Sequence, residues 1–170
     1  MVFFKSLKFA ISGILYVIKN ERNMRFHTVA GLYVLIFSLF FSLSMIKYVV
    51  LLLIISLVLV TEILNTCIEY LIDLCSKEYN SVAKVVKDMA AGAVLIVCTV
   101  AVAVALLFFS EPDAYVRMWA FLCTYPVVIV PFLIFSFICY EYIFLGPIEV
   151  KNRLKKYFDK IKKSDVNERE

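Results

Sequence analysis

The sequence predicts an all-α integral membrane protein, and three observations carry that reading. Of its 170 residues, 63% are apolar and 19% charged, with a mean hydropathy of +0.89. A soluble domain is about 45–50% apolar, and a core of this size cannot hide the excess, because small domains leave much of their surface in water. Thr28 to Ile46, Met89 to Ser110 and Met118 to Tyr140 carry no charge, and each has the roughly 17–25 residues that a helix needs to cross hydrocarbon. The basic residues, finally, collect in alternate connecting segments.

The elements follow in order. Residues 3–20 place Phe3, Leu7, Ile11, Ile14 and Ile18 on one side of a helix and Lys5, Lys8, Ser12 and Lys19 elsewhere, the pattern of a helix lying on the membrane surface. Thr28 to Ile46 is the first span. Tyr48 to Asp73 is the second; it starts purely apolar and then acquires Glu62, Glu69 and Asp73, which lipid does not tolerate, so they must face protein or water. Met89 to Ser110 and Met118 to Tyr140 are the third and fourth, the last interrupted by Pro126 and Pro131. In the tail, Val150, Leu154, Tyr157, Phe158 and Ile161 recur at helical spacing with lysines on the other face, a second surface helix attracted to anionic lipid rather than to nucleic acid. Four spans put sixteen of the eighteen Lys/Arg residues on one side, leaving Lys47 and Arg117 on the other. That side is the cytoplasmic one, with both termini on it. The N-terminus does not read as a cleaved signal, because lysines interrupt its apolar stretch and no small-residue cleavage site follows. Five cysteines without a C-x-x-C pair, mostly inside apolar runs, read as small apolar side chains rather than as a disulfide or zinc framework.

The chemistry lies in the second span. At 100° per residue, Asn65 falls about −60°, Glu69 about −20° and Asp73 about +20° from Glu62, so all four share one stripe, with Thr66 at its edge. An Asn and one Glu could be satisfied by hydrogen bonds between helices. Three acids within twelve residues call for compensating positive charge. Lys84, Lys87 and Asp88 stand at the start of the third span on the same side, after the loop Ser76-Lys77-Glu78-Tyr79-Asn80, and Glu21, Arg22, Asn23, Arg25 and His27 precede the first. In isolation, Lys87-Asp88 is an ordinary solvated helix start, and Ala90-Ala91-Gly92-Ala93 reads as a place for close helix packing. Carboxylates beside lysines at a membrane surface suit Mg²⁺, which takes one or two carboxylates plus nucleotide oxygens, and phosphoryl transfer, which needs positioning, charge neutralisation and an oriented nucleophile. Neither G-x-x-x-x-G-K-[ST] nor G-x-G-x-x-G is present, which excludes the ordinary nucleotide folds. A single histidine argues against phosphohistidine phosphatases.

Glu62-Ile-Leu-Asn65-Thr-Cys-Ile-Glu69, then Asp73, then Lys87-Asp88-Met-Ala-Ala-Gly-Ala-Val-Leu resembles the small prokaryotic diacylglycerol kinase family. Glu21-Arg22-Asn23-Met-Arg25-Phe-His27 is similar to its Gram-positive branch, which phosphorylates undecaprenol. The resemblance runs from about Phe3 to Phe109 with the motifs in order. It implies a homotrimer of three-span subunits in the bacterial cytoplasmic membrane, with composite active sites on the cytoplasmic side that use MgATP and a lipid alcohol. Residue by residue, it implies that Glu62 is the general base and that Glu21 and Glu69 hold the metal. Glu78, Tyr79, Asn80, Lys87 and Asp88 contact the nucleotide, and Asn65 and Asp73 maintain the polar geometry. Asn23, Arg25 and His27 border the lipid entrance with Glu62. The implied division is a lipid kinase domain over 1–110, an additional span over 111–148 and a basic cytoplasmic tail over 149–170. About the last two the family pattern is silent.

Other readings compete. Diacylglycerol is the alternative acceptor for the same mechanism. A cation-coupled transporter would also need buried acids, but Tyr48 to Thr61 offers only Ser56 and Thr61 as a polar path. A regulatory protein that lost catalysis would not need Glu21, Glu62, Asn65, Glu69, Lys87 and Asp88 together.

Overall fold

A computed structural model of the chain describes residues 2–75 and 81–167; for residues 2, 154 and 156–167 it describes the backbone alone. Among the described residues there is no strand, and six α-helices follow one another: α1 (Val2–Asn20), α2 (Arg22–Ser38), α3 (Met45–Cys75), α4 (Ser81–Phe108), α5 (Pro112–Thr124) and α6 (Ile129–Asn167), with a 3-10 turn at Pro126–Val128 before the last. The all-α membrane architecture is as the composition requires. α3, α4 and the stretch Pro126–Arg153 are long and apolar enough to cross a bilayer. α2, with 17 residues, stands at the lower limit. The chain is a multi-pass membrane protein.

The helices run alternately between two ends. α1 meets α2 at an elbow centred on Glu21, whose backbone is extended (φ −102°, ψ 120°). α2 leads away from this near end to a turn closed by the Tyr48 hydroxyl, which donates to the Ser38 carbonyl at 3.2 Å. α3 returns, and α4 pairs with it along its length on the way back. At the far end Phe41 packs edge-on against Phe109 (4.8 Å between ring centres) and Tyr115 (5.3 Å). Arg117 there donates to the Phe40 carbonyl and to Glu111, at 3.1 and 2.9 Å. Lys47 stands over the Phe108 ring, so the two basic residues that the charge pattern separates from the others share this end. α6 then returns along α2, where the Tyr33 hydroxyl donates to Ser136 Oγ at 2.7 Å and Phe132 and Phe135 surround the Tyr33 ring.

The first and last expected spans differ from the sequence reading: Thr28 to Ile46 is not one helix, since α2 ends at Ser38 and Ile46 lies in α3. The charge-free run Met118 to Tyr140 is not one helix. Pro126 cannot donate into a helix and forces the residue before it out of helical conformation, and Tyr125 accordingly sits at φ −124°, ψ 63°. The final pass therefore starts at Pro126, while Met118 to Thr124 belongs to the separate helix α5 at the far end. Span and tail part close to residue 148, because helical geometry breaks at Gly146 (φ 80°, ψ 165°) before Pro147 and α6 consists of two helical stretches on either side. Of the tail's apolar stripe, Leu154, Tyr157, Phe158 and Ile161 have side chains outside those described. Within Ala90–Ala93, Ala90 is buried but Gly92 faces no neighbouring helix of the chain. A Cβ on Gly92 would meet nothing within 4 Å, whereas one on Gly31 would come within 3.0 Å of Ile55 Cγ2. Gly31 is the position where α2 and α3 nearly touch.

Candidate active site

The site forms at the near end, where the elbow faces the last turns of α3. From Met45, Glu62 lies about 26 Å along α3 at 1.5 Å per residue, close to the about 30 Å thickness of a hydrocarbon core. Glu69 and Asp73 lie two and three turns beyond. The spacing of the stripe therefore places one acid at the membrane interface and two in the headgroup and water layer.

Glu62 is 2% exposed, Asn65 8% and Thr66 3%. A carboxylate so enclosed needs hydrogen-bonding or charged neighbours. Its neighbours come from the elbow and its own helix: His27 Nε2 is 3.9 Å from Glu62 Oε2, and Asn23, Glu69 and Glu21 complete its electrostatic surroundings. One turn on, Asn65 Nδ2 donates to Glu69 Oε1 at 3.0 Å. That bond aims the Asn65 oxygen the other way, and Asn65 Oδ1 is buried with no hydrogen-bond partner. A buried acceptor left empty costs roughly 1–3 kcal/mol, and such an atom in a polar cluster points to a ligand that supplies a donor or a cation. Glu21 is held from α3 by Tyr70, whose hydroxyl donates to Glu21 Oε1 at 2.8 Å. The Tyr70 ring in turn meets Tyr16 of α1 edge-on. Lys87 of α4 pairs with Asp73 of α3, so the lysine at the start of α4 reaches the outer end of the stripe.

The oxygen donors suit a hard cation, and their number suits one whose shell a nucleotide completes. Glu21, Glu69 and the orphaned Asn65 oxygen are all hard oxygen ligands. The described residues nowhere bring three metal-binding side chains to one point, so a divalent ion here would take phosphate oxygens and waters for the rest of its coordination.

Below Glu62 the site opens into an apolar cavity of about 300 Å³ between α2, α3 and α4. Phe26 and His27 line its near end, Gly31, Ile55 and Val58 its α2 and α3 sides, and Cys98, Ala101 and Ala105 its α4 side.

The structure thus brings together Glu21, Asn23, His27, Glu62, Asn65 and Glu69. Asp73 and Lys87 stand at the outer rim, and the exposed Lys84 and Asp88 lie near them on α4. Glu78, Tyr79 and Asn80 lie outside the described residues. Arg25 departs from its expected place at the lipid entrance. It is buried, and its guanidinium is directed away from Glu62 to the backbone carbonyls of Ile18, Lys19 and Ile143. Tyr70 and Cys98 are members of the site that sequence reasoning missed. Tyr70 lies about 80° from Glu62 on the helix wheel, off the polar stripe, and Cys98 read as an ordinary apolar side chain.

The profile of the prokaryotic diacylglycerol kinase family matches residues 8–109. The chain belongs to this family. It is 38% identical over 107 residues, 63% of the chain, to a protein from Bacillus subtilis (strain 168) named undecaprenol kinase, of which the match covers 87%. It is 39% identical over 100 residues, 58% of the chain, to a diacylglycerol kinase from Synechocystis sp., of which the match covers 57%. The protein is accordingly a lipid kinase, and every residue gathered around Glu62 lies inside the matched region. α5 and α6 lie outside it.

Proposed function

We propose that the protein transfers the γ-phosphoryl group of ATP to the terminal hydroxyl of undecaprenol, with Glu62 as general base. The observation that carries this reading is the position of Glu62: buried, 3.9 Å from His27, which lines the near end of a largely apolar cavity. A lipid chain lying in that cavity presents its headgroup to Glu62. The Glu62 carboxylate takes the proton of the lipid hydroxyl, the freed oxygen bonds to the γ-phosphorus, and the bond from that phosphorus to the bridging oxygen breaks to release ADP. Mg²⁺ held by Glu21 and Glu69 would neutralise charge on the transferring phosphates. Lys87 and Asp88 lie on the water side, where the nucleotide approaches, and Glu78, Tyr79 and Asn80 are proposed as its further contacts. His27, 3.9 Å from Glu62, and Asn23 orient the acceptor hydroxyl. Asn65 fixes Glu69 by its amide nitrogen and offers its free oxygen to the reacting groups.

The preference for a polyprenol rests on what the cavity lacks. Past His27 its lining offers no hydrogen-bond donor except the weak Cys98 thiol. Arg25 is committed to backbone carbonyls, and Asn23 is engaged with Glu62. Diacylglycerol would bury ester carbonyls there without partners, at about 1–3 kcal/mol each, whereas a polyprenol brings none. The similarity to the Bacillus undecaprenol kinase supports the same acceptor. The apolar faces of α3 and α4 are left mostly uncovered by the chain itself, which suits a homotrimer. The basic near end faces the cytoplasm under the positive-inside rule, so a reporter fused after Glu170 reads as cytoplasmic. The test is purified protein with labelled ATP, offered undecaprenol and diacylglycerol together. A preference of at least about tenfold for undecaprenol is expected. Equal or reversed preference assigns the cavity to diacylglycerol, and no transfer to either overturns the reading.

A further inference from the structure

The buried arginine of the elbow joins the part of the chain that matches the family to the part that does not. Pro147 has no N–H, so the Ile143 carbonyl, four residues before it, has no helical donor. Gly146 turns the backbone aside at φ 80°, ψ 165°, a conformation open essentially to glycine alone. The exposed carbonyl is taken by Arg25 Nε at 3.0 Å. The same guanidinium donates through Nη1 to Lys19 and Ile18 at 3.0 and 3.3 Å, the last carbonyls of α1. Two helix ends of negative polarity thus converge on one buried cation, an arrangement that helix dipoles favour. A second tie runs alongside: Arg22 stands 5.9 Å above the Phe144 ring. Between the two arginines and α1 lies Glu21, whose N–H donates to Val17 and whose carbonyl accepts from Arg25 N–H.

We propose that Arg25 is a positioning residue through which α6 forms part of the kinase site. By clamping Ile143 of α6 to the end of α1, it fixes the elbow from which Glu21 and Asn23 reach α3. The proposal rests on the reading of Glu21 as a ligand of the metal–nucleotide complex. Its physical content is that a single guanidinium fork serves three acceptors at fixed angles, which the compact ammonium of lysine cannot reproduce. The C-terminal segment outside the family match is then no passive anchor. It holds one wall of the active site.

The test straightens α6 without touching the site. In full-length Gly146→Ala/Pro147→Ala, residue 147 regains its N–H, the Ile143 carbonyl is satisfied inside its own helix, and Arg25 loses its hold on α6. Hydrogen exchange of the ligand-free protein is expected to rise by about tenfold or more at the amides of residues 18–25 and to stay unchanged in α3 and α4. The Mg²⁺ midpoint for turnover should rise about three- to tenfold with kcat less affected, a split that a purely structural anchor would not produce. Arg25→Gln should reproduce both effects, Arg25→Lys should recover only part, and the triple variant should be no worse than Arg25→Gln alone. Unchanged elbow exchange in the double variant overturns the proposal, as does a uniform acceleration throughout the helices. The exchange result stands whatever lipid is phosphorylated, so failure of the substrate reading is told apart from failure of the clamp.

Discussion

The Tyr70 hydroxyl donates to Glu21 Oε1 at 2.8 Å, joining residues 49 positions apart and closing the elbow over the end of α3. Without that bond Glu21 would sit on an extended linker residue between two helices, free to swing into water. The bond sets where one of the two proposed metal ligands stands. Tyr70→Phe should leave the fold intact and raise the Mg²⁺ midpoint of turnover by about three- to tenfold, the value of one exposed hydrogen bond to a charged group. A Mg²⁺ titration of both proteins checks it, and coincident curves show that Tyr70 does not position a ligand.

Asn65 separates stability from activity. Its buried oxygen lacks a partner, so Asn65→Leu removes an unsatisfied acceptor while keeping the side chain's volume. Thermal unfolding in detergent should occur at an equal or higher temperature than in the wild type, while kcat falls at least about tenfold as Glu69 loses its donor. Loss of both together marks Asn65 as a packing residue.

The cavity makes a prediction about chain length. Ala101 and Ala105 line it on α4, toward the far end, and their small side chains leave it open. Ala101→Leu should lower kcat/KM for undecaprenol by about tenfold or more, the scale set by a few methylenes in a well-fitted pocket. A short prenol that ends above Ala101 should be phosphorylated by both proteins within about threefold of each other. Equal losses for long and short chains would place the lipid elsewhere.

Much of this was legible in the sequence because two periodicities are strong. A 3.6-residue repeat puts Glu62, Asn65, Glu69 and Asp73 on one face, and the structure joins Asn65 to Glu69 and Asp73 to Lys87 along it. The alternation of basic and neutral connections likewise separates the two ends of the bundle. Absence of charge could not place the last pass, since Met118 to Tyr140 is uncharged on both sides of the break. Pro126, present in that run, was the signal that mattered. Arg25 was misplaced for a different reason: its neighbours Asn23 and His27 do face Glu62, but the partners of Arg25 are backbone carbonyls, one of them 118 residues away. No side-chain pattern announces a carbonyl freed by a proline.

The central claim is that Glu62 deprotonates the lipid hydroxyl, and the most direct measurement is single-turnover phosphoryl transfer by Glu62→Gln beside its equilibrium binding of MgATP. The amide keeps the size and burial of the side chain but cannot accept the proton. Transfer should fall by about 10²–10⁴ while nucleotide affinity stays within about threefold. Retention of more than about a tenth of wild-type transfer, with binding intact, would contradict the assignment of Glu62 as base.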